Sequence, residues 1–174
     1  RQFVAMAAEN LRAGLSTIIV VPDYRDQAAM LKLLESLDFM KFTVHYSNDQ
    51  TPSVKYQGFL RALHNPSIIL GSRAAIFAPA PKLGSILIYN DGDSSLVEPT
   101  SPYLATREIA LIRQQQNNCQ LVFAGQARSC EIQRLIEIGY LTTISASTKR
   151  PKIAFSDTEA RLDSLAFQTI KKAL

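Results

Sequence analysis

Apolar and polar positions alternate along this chain with two distinct periods, and the two take turns. From Gln2 to Ala13, apolar residues at Phe3, Met6, Ala7 and Leu11 recur at helical spacing, and Gly14 stands where a helix C-terminal cap is wanted. Ser16 to Val21 then forms a β-branched run without alternation, the pattern of a strand covered on both faces. Gln27 to Leu37 returns to helical spacing, and Phe42 to Tyr46 reads as a short strand. At Thr51-Pro52 a helix is expected to begin, because proline at the first helical position gives up no hydrogen bond, and it runs to about His64. On that helix Tyr56, Phe59 and Leu63 share one face and are expected to face the core.

The same rhythm continues to the end. Ser67–Leu70 and Ile86–Tyr89 read as short strands, separated by a loop punctuated with prolines. Ala105–Gln116 follows as an amphipathic helix, then Gln120–Phe123 as a strand and Cys130–Glu137 as a helix ending at Gly139. A Ser/Thr-rich stretch from Thr142 to Thr148 leads to a last strand at Lys152–Phe155 and a closing helix from about Thr158 to Leu174. Regular alternation of strand and helix predicts an α/β fold with a mainly parallel sheet and helices on both faces, because each parallel crossover needs a helix-length connection. Residues 1–174 show no repeat and no low-complexity linker, so a single domain is expected. The first residue is Arg1 and helical periodicity begins at once, so the expectation is a piece of something longer.

Composition narrows the function classes without selecting one. At 47% hydrophobic the chain can bury a core, and a net charge of +4 is compatible with a nucleic-acid partner but is no strong footprint of one. Cys119, Cys130, His45 and His64 make neither a CxxC pair nor a ligand cluster, so reduced cysteines and no metal site are expected. His45 reads as structural, and His64 as a partner for the dipole at a helix C-terminus. No apolar run approaches the roughly 18 residues that span a bilayer, and the reduced cysteines suit a cytoplasmic protein. Lys149-Arg150 and Lys171-Lys172 read as solvated basic pairs. No nucleophile–base pair or G-x-G-x-x-G fingerprint supports a small-molecule enzyme on a doubly wound sheet.

In parallel sheets, ligands bind beyond the carboxyl ends of the strands, so the informative residues stand just after each strand. The segment Ile69-Leu70-Gly71-Ser72-Arg73-Ala74-Ala75-Ile76-Phe77-Ala78-Pro79-Ala80-Pro81-Lys82-Leu83-Gly84 resembles the V-G-T-R-S-A-[IVL]-F-A-P-L-P-N-L-G block of the primosomal replication-restart DNA helicases, the primosomal protein N′ family. In register with it, Leu87 to Glu98 resembles the family's I-V-D-E-E-H-D-S-S-Y-K-Q, and Val122 to Glu131 falls where the family has V-L-G-S-A-T-P-S-L-E. Arg107-Glu108-Ile109-Ala110 is similar to the family's A-R-D-V-A. The resemblance implies the RecA-like fold of a P-loop NTPase lobe, with the family's phosphate-binding loop falling just before Arg1. It also implies ATP and magnesium as family cofactors, with zinc held in a separate insertion, and none of these held by this segment alone. The implied partners are branched or single-stranded DNA and other primosome and replication proteins, without a membrane.

The departures from the family pattern fall on the chemistry. Tyr89 stands at the position of the magnesium-holding aspartate, Asn90 at that of the glutamate that activates water, and Gly92 at that of the histidine that couples the nucleotide to DNA. Gly125-Gln126-Ala127 replaces S-A-T, and Leu96-Val97-Glu98 replaces Tyr-Lys-Gln in an aromatic-rich loop, leaving Tyr103 as the nearest aromatic. Asp91 remains acidic but is expected to leave the strand on the wrong face for a metal, and Asp91 and Asp93 read as turn residues that cap local N–H groups. Gly84 and the prolines around it read as shape determinants, while Ser72 and Arg73 are candidates for contact with a DNA phosphate. The pattern resembles the reduced, helicase-deficient form of the family found in actinobacteria. A degenerate, non-hydrolysing lobe that binds branched DNA and supports primosome assembly is therefore expected. The alternatives are an active 3′-5′ helicase lobe with an unusual magnesium site at Asp91, and a pure protein-interaction module.

Overall fold

A computed structural model describes residues 2–47, 50–144 and 164–173. The chain divides into two compact units, Arg1–Leu141 and Thr142–Leu174. The first is an α/β unit built on a five-stranded, all-parallel sheet in the order β2-β3-β1-β4-β5. Its strands are β1 (Ser16–Val20), β2 (Thr43–Tyr46), β3 (Ile68–Gly71), β4 (Leu83–Tyr89) and β5 (Gln120–Ala124). α1 (Gln2–Arg12) precedes β1, α2 (Tyr24–Ser36) and α3 (Pro52–His64) connect β1 to β2 and β2 to β3, α4 (Thr106–Asn117) connects β4 to β5, and α5 (Cys130–Glu137) follows β5. β3 and β4 are joined by a loop with a 3-10 turn. The parallel α/β sheet is what the alternating pattern predicted, and it is consistent with the RecA-like lobe that the resemblance implied. In the second unit Ser164–Ala173 form α6, which carries the exposed Lys171 and Lys172. The Lys152–Phe155 strand, the Lys149-Arg150 pair and most of the Ser/Thr-rich stretch lie outside the described residues.

β1 is the central strand because nothing in it needs water. All five of its residues are buried, and its neighbours Ile68–Leu70 and Ile86–Ile88 are buried with it. Successive side chains alternate between the sheet's two faces and so feed two cores. Ile19, Val21, Leu70 and Leu87 pack under α1 and α2 against Phe3, Val4, Ala7 and Leu34. Ile18, Val20, Ile69, Ile86 and Ile88 pack on the other face against Ala62 of α3 and Ala110 of α4. At the amino ends of the strands, a polar knot crosses the first core. The Asn10 amide donates to Thr17 Oγ1 at 2.9 Å and to Ser85 Oγ at 2.8 Å. The backbone of Gly84 lies so close to this knot that an added Cβ would stand 2.9 Å from Asn10 Oδ1 and from Leu15 Cβ. Gly84 is thus a packing requirement, in keeping with its reading as a shape determinant.

Three details differ from the sequence expectation. α2 begins at Tyr24 rather than near Gln27, because Asp23 caps it: its carboxylate accepts the backbone N–H groups of Arg25 (2.7 Å) and Asp26 (2.9 Å). β4 begins at Leu83, since pairing with the buried β1 extends it beyond its own apolar run. On α3, Tyr56, Phe59 and Leu63 are exposed instead of facing the core. The helix lies against β2 through its small residues: Ala62 is fully buried, and a Cβ on Gly58 would stand 3.2 Å from Val44. Close approach on the small-residue face turns the larger stripe outward. The expected start at Thr51-Pro52 is present, with the Thr51 hydroxyl accepting the Val54 N–H.

Candidate nucleic-acid and nucleotide site at the strand ends

After β1 the chain turns toward β2, and after β4 it turns the opposite way toward β5. The point where connections diverge is where parallel sheets open a crevice for ligands, so the β1–β4 boundary and the loops beyond β3 and β5 frame the candidate site. The structure brings the sequence-predicted residues into two clusters there.

The first cluster joins the end of β4 to the end of β5. Tyr89 is the last residue of β4, and its ring packs against the α1/α2 core instead of presenting a charge to the crevice. Asn90 adopts a left-handed conformation (φ 53°), and its N–H donates to the Ala124 carbonyl at 2.7 Å. Gly125 follows Ala124 so closely that an added Cβ would lie 3.4 Å from Asn90 Cα. Asp91 is buried, and its carboxylate accepts the Ser129 hydroxyl. Ser129 in turn caps α5 by accepting the Ile132 N–H at 3.2 Å. Gly92 sits beside Ser129, where an added Cβ would meet Ser129 Cβ at 3.5 Å. Asp91 therefore ties the β4 turn to the first turn of α5 and does not cap a local backbone N–H. Gln126 and Ala127 lie exposed on the loop between these tethers. Arg107 at the start of α4 reinforces the same corner through an ion pair with Glu131 on α5.

Asp93 behaves as the turn residue the sequence suggested. Its Oδ1 accepts the Ser95 N–H at 2.9 Å and the Ser95 hydroxyl at 2.7 Å, and these two bonds hold its carboxyl below the usual carboxylate range. Across the crevice, burial pushes the Asp26 carboxyl up, with the carboxylates of Asp23 and Asp93 adding to the effect. The β1–β4 crevice is thus locally acidic, yet among the described residues no group of three His, Cys, Asp or Glu side chains could hold a metal ion. The residues at the implied magnesium position do not fit that ion: an aromatic ring fills the core side, and the nearest carboxylate is committed to a serine.

The second cluster joins β3 to the loop beyond β4. Gly71 closes β3 where a Cβ would stand 2.7 Å from the Tyr46 carbonyl oxygen, so the first residue of the Gly71-Ser72-Arg73 block is fixed by strand packing. Arg73 opens a short 3-10 turn through Phe77. Its Nε donates to Glu98 Oε2 at 3.0 Å, and its Nη1 to the Ser95 carbonyl at 3.3 Å. Ser95 is itself anchored, its hydroxyl standing 3.1 Å from the Pro22 carbonyl beyond β1. Ser72, Arg73, Phe77, Glu98, Leu104 and Thr106 line a groove of about 350 Å³. Phe77 and Tyr103 expose 63% and 64% of their surface here.

Sequence reasoning found Ser72, Arg73 and Tyr103 but overlooked Phe77, Ser129 and Glu98 as partners. Phe77 stands inside an apolar block, so nothing in the sequence marks its ring as exposed. Ser129 and Glu98 acquire meaning only through contacts across 38 and 25 residues of chain.

Comparison with known proteins adds an independent observation. The chain is 30% identical over 191 aligned positions to the probable replication restart protein PriA of Mycobacterium bovis and of Mycobacterium tuberculosis, an alignment that covers 99% of this chain. The chain is similar to a segment of the replication restart protein PriA. The replication restart protein PriA of Bacillus subtilis is 27% identical over 123 residues, covering 70% of the chain. The chain spans 29% of the length of the mycobacterial PriA relatives, less than a third. No family model matches it. No helix among the described residues is long and apolar enough to cross a membrane.

Proposed function

We propose that this chain is a RecA-like lobe of a cytoplasmic replication-restart protein that binds branched DNA and helps to assemble the primosome without hydrolysing ATP. The observation that carries the reading is the state of the β4–β5 corner. A working lobe of this kind needs one carboxylate to hold magnesium and another to activate water. Here the first position is Tyr89, packed into the core, and the second is Asn90, whose backbone is pinned to Ala124. Asp91, the acid that an atypical magnesium site would need, is held by Ser129. Metal and proton-acceptor roles each typically carry several powers of ten in rate, so a lobe without either is a binding element.

The DNA-facing surface would be the β3 side. Arg73 offers a guanidinium for a backbone phosphate, Ser72 a hydroxyl, and Phe77 an exposed ring on which a base can stack. The test uses the full-length protein with forked DNA. Magnesium-dependent ATP turnover is expected to stay at background while fork binding weakens steeply between two salt concentrations. Robust DNA-stimulated hydrolysis that disappears in Asp91→Ala would refute the non-hydrolysing reading. No measurable fork binding even at low salt would favour a module that binds proteins alone.

A further inference from the structure

Arg73 is the cation best placed to meet a phosphate, but the chain already supplies it with an anion. Glu98 is not a loosely placed surface acid. Its backbone N–H donates to the Leu104 carbonyl at 2.9 Å, and Val97 bridges to Ala105, so the loop closes on itself just at Glu98. The Thr100 hydroxyl donates to Glu98 Oε1 at 3.1 Å, which leaves Oε2 to face Arg73 at 3.0 Å. On the other side, the Ser95 carbonyl takes Arg73 Nη1. The arginine is thereby held across the groove that Ser72, Phe77 and Leu104 line. Both partners of the pair keep more than a third of their side-chain surface in water, at 36% and 38%. An ion pair this wet is weak and exchangeable, so a phosphate oxygen can replace the carboxylate.

We propose that Glu98 is a built-in competitor for DNA: its carboxylate occupies Arg73 as a phosphate would, and binding requires the exchange of one anion for the other. This inference rests on the reading of Arg73 as a DNA contact and adds how that contact is governed. The exchange has a distinct ionic signature. When a phosphate replaces Glu98, the DNA releases a counterion while the freed carboxylate gathers one, so Arg73 adds almost nothing to the salt dependence of the wild-type protein. With Glu98 neutralised, the same contact adds nearly one full counterion to the slope. Arg73 should accordingly matter little in the wild type and clearly in the Glu98→Gln background.

The experiment measures the affinity of the full-length protein for a labelled forked duplex with a single-stranded arm, at several salt concentrations. The proteins compared are the wild type, Glu98→Gln, Arg73→Gln, the double variant, and Glu35→Gln as a remote loss of one negative charge. Glu98→Gln keeps an oxygen for the Thr100 hydroxyl, and its thermal midpoint should match the wild type. Expected are binding about two- to five-fold tighter at low salt, the range of an exposed ion pair, and a log–log slope steeper by roughly 0.9. Both changes should vanish in the double variant and be absent in Glu35→Gln. Equal affinities of Glu98→Gln and wild type, with Arg73→Gln weakening both, would overturn the competitor while sparing the DNA contact. Arg73→Gln without effect in either background would overturn the DNA contact itself. A gain that survives in the double variant, or that Glu35→Gln reproduces, would reduce the effect to overall charge and also overturn the proposal.

Discussion

Replacing Asp91 separates a strut from a metal ligand. The carboxylate is buried and its side-chain bond goes to the Ser129 hydroxyl, which itself caps α5. A hydrogen bond to a charged group contributes about 1.5–3 kcal/mol, but alanine also removes the desolvated charge, so Asp91→Ala should cost roughly 1–2 kcal/mol. Ser129→Ala should cost more, about 2–4 kcal/mol. It strands the carboxylate without a partner and deletes a helix cap worth about 1 kcal/mol. Because both variants break the same bond, the double variant should be less destabilised than their sum, with a coupling of about 1–2 kcal/mol. Asp91→Asn keeps an acceptor for the hydroxyl and should fall within about 1 kcal/mol of wild type. Urea denaturation of the four proteins closes the cycle, and ATP turnover with forked DNA and magnesium accompanies it. Additivity within about 0.5 kcal/mol would refute the strut, since independent sites behave that way.

Three further outcomes follow from the geometry. Gly84→Ala places a Cβ against Asn10 and Leu15 and should destabilise the protein by about 1–3 kcal/mol, measured by the shift in denaturation midpoint. A thiol reagent should modify the exposed Cys130 quickly in the native protein and reach the buried Cys119, whose thiol burial pushes up, only on unfolding; equal rates would contradict the placement. His45, whose ring nitrogen lies 2.8 Å from Gln27 Oε1, is held below its usual range by burial. The unfolded chain therefore takes up a proton that the fold resists, so stability is full above about pH 6.5 and falls as the pH drops through the unfolded value toward the folded one. His45→Gln should flatten the dependence of the denaturation midpoint on pH between about 7.5 and 5.5, and an unchanged slope would count against it.

The legible parts of this molecule are those set by short-range pattern. The buried β-branched run at Ser16–Val20 announced a central strand, Thr51-Pro52 announced a helix start, and alternation announced the parallel sheet. α3 was misread because its contact face is defined by what is missing. Gly58 and Ala62 allow close approach to Val44, and periodicity of large residues cannot register two small ones. At the site, the residue types at Tyr89, Asn90 and Gly92 were visible in the sequence, but their fate was not. That Tyr89 joins a core, that Asn90 turns left-handed onto Ala124, and that Asp91 meets Ser129 all depend on how β4 and β5 lie side by side. Arg73 was legible as a cation, whereas its pairing with Glu98 needed the loop closure at Leu104.

Ser95 gives this arrangement a mechanical character. Its hydroxyl reaches both Asp93 and the Pro22 carbonyl, and its own carbonyl holds Arg73. One small residue therefore pins together the loops that leave three neighbouring strands, as a rivet joins three plates. The hydrogen-bonded path therefore runs from the arginine through Ser95 to the mouth of the central strand. Loops linked in this way form one connected rim along the carboxyl ends of β3, β1 and β4.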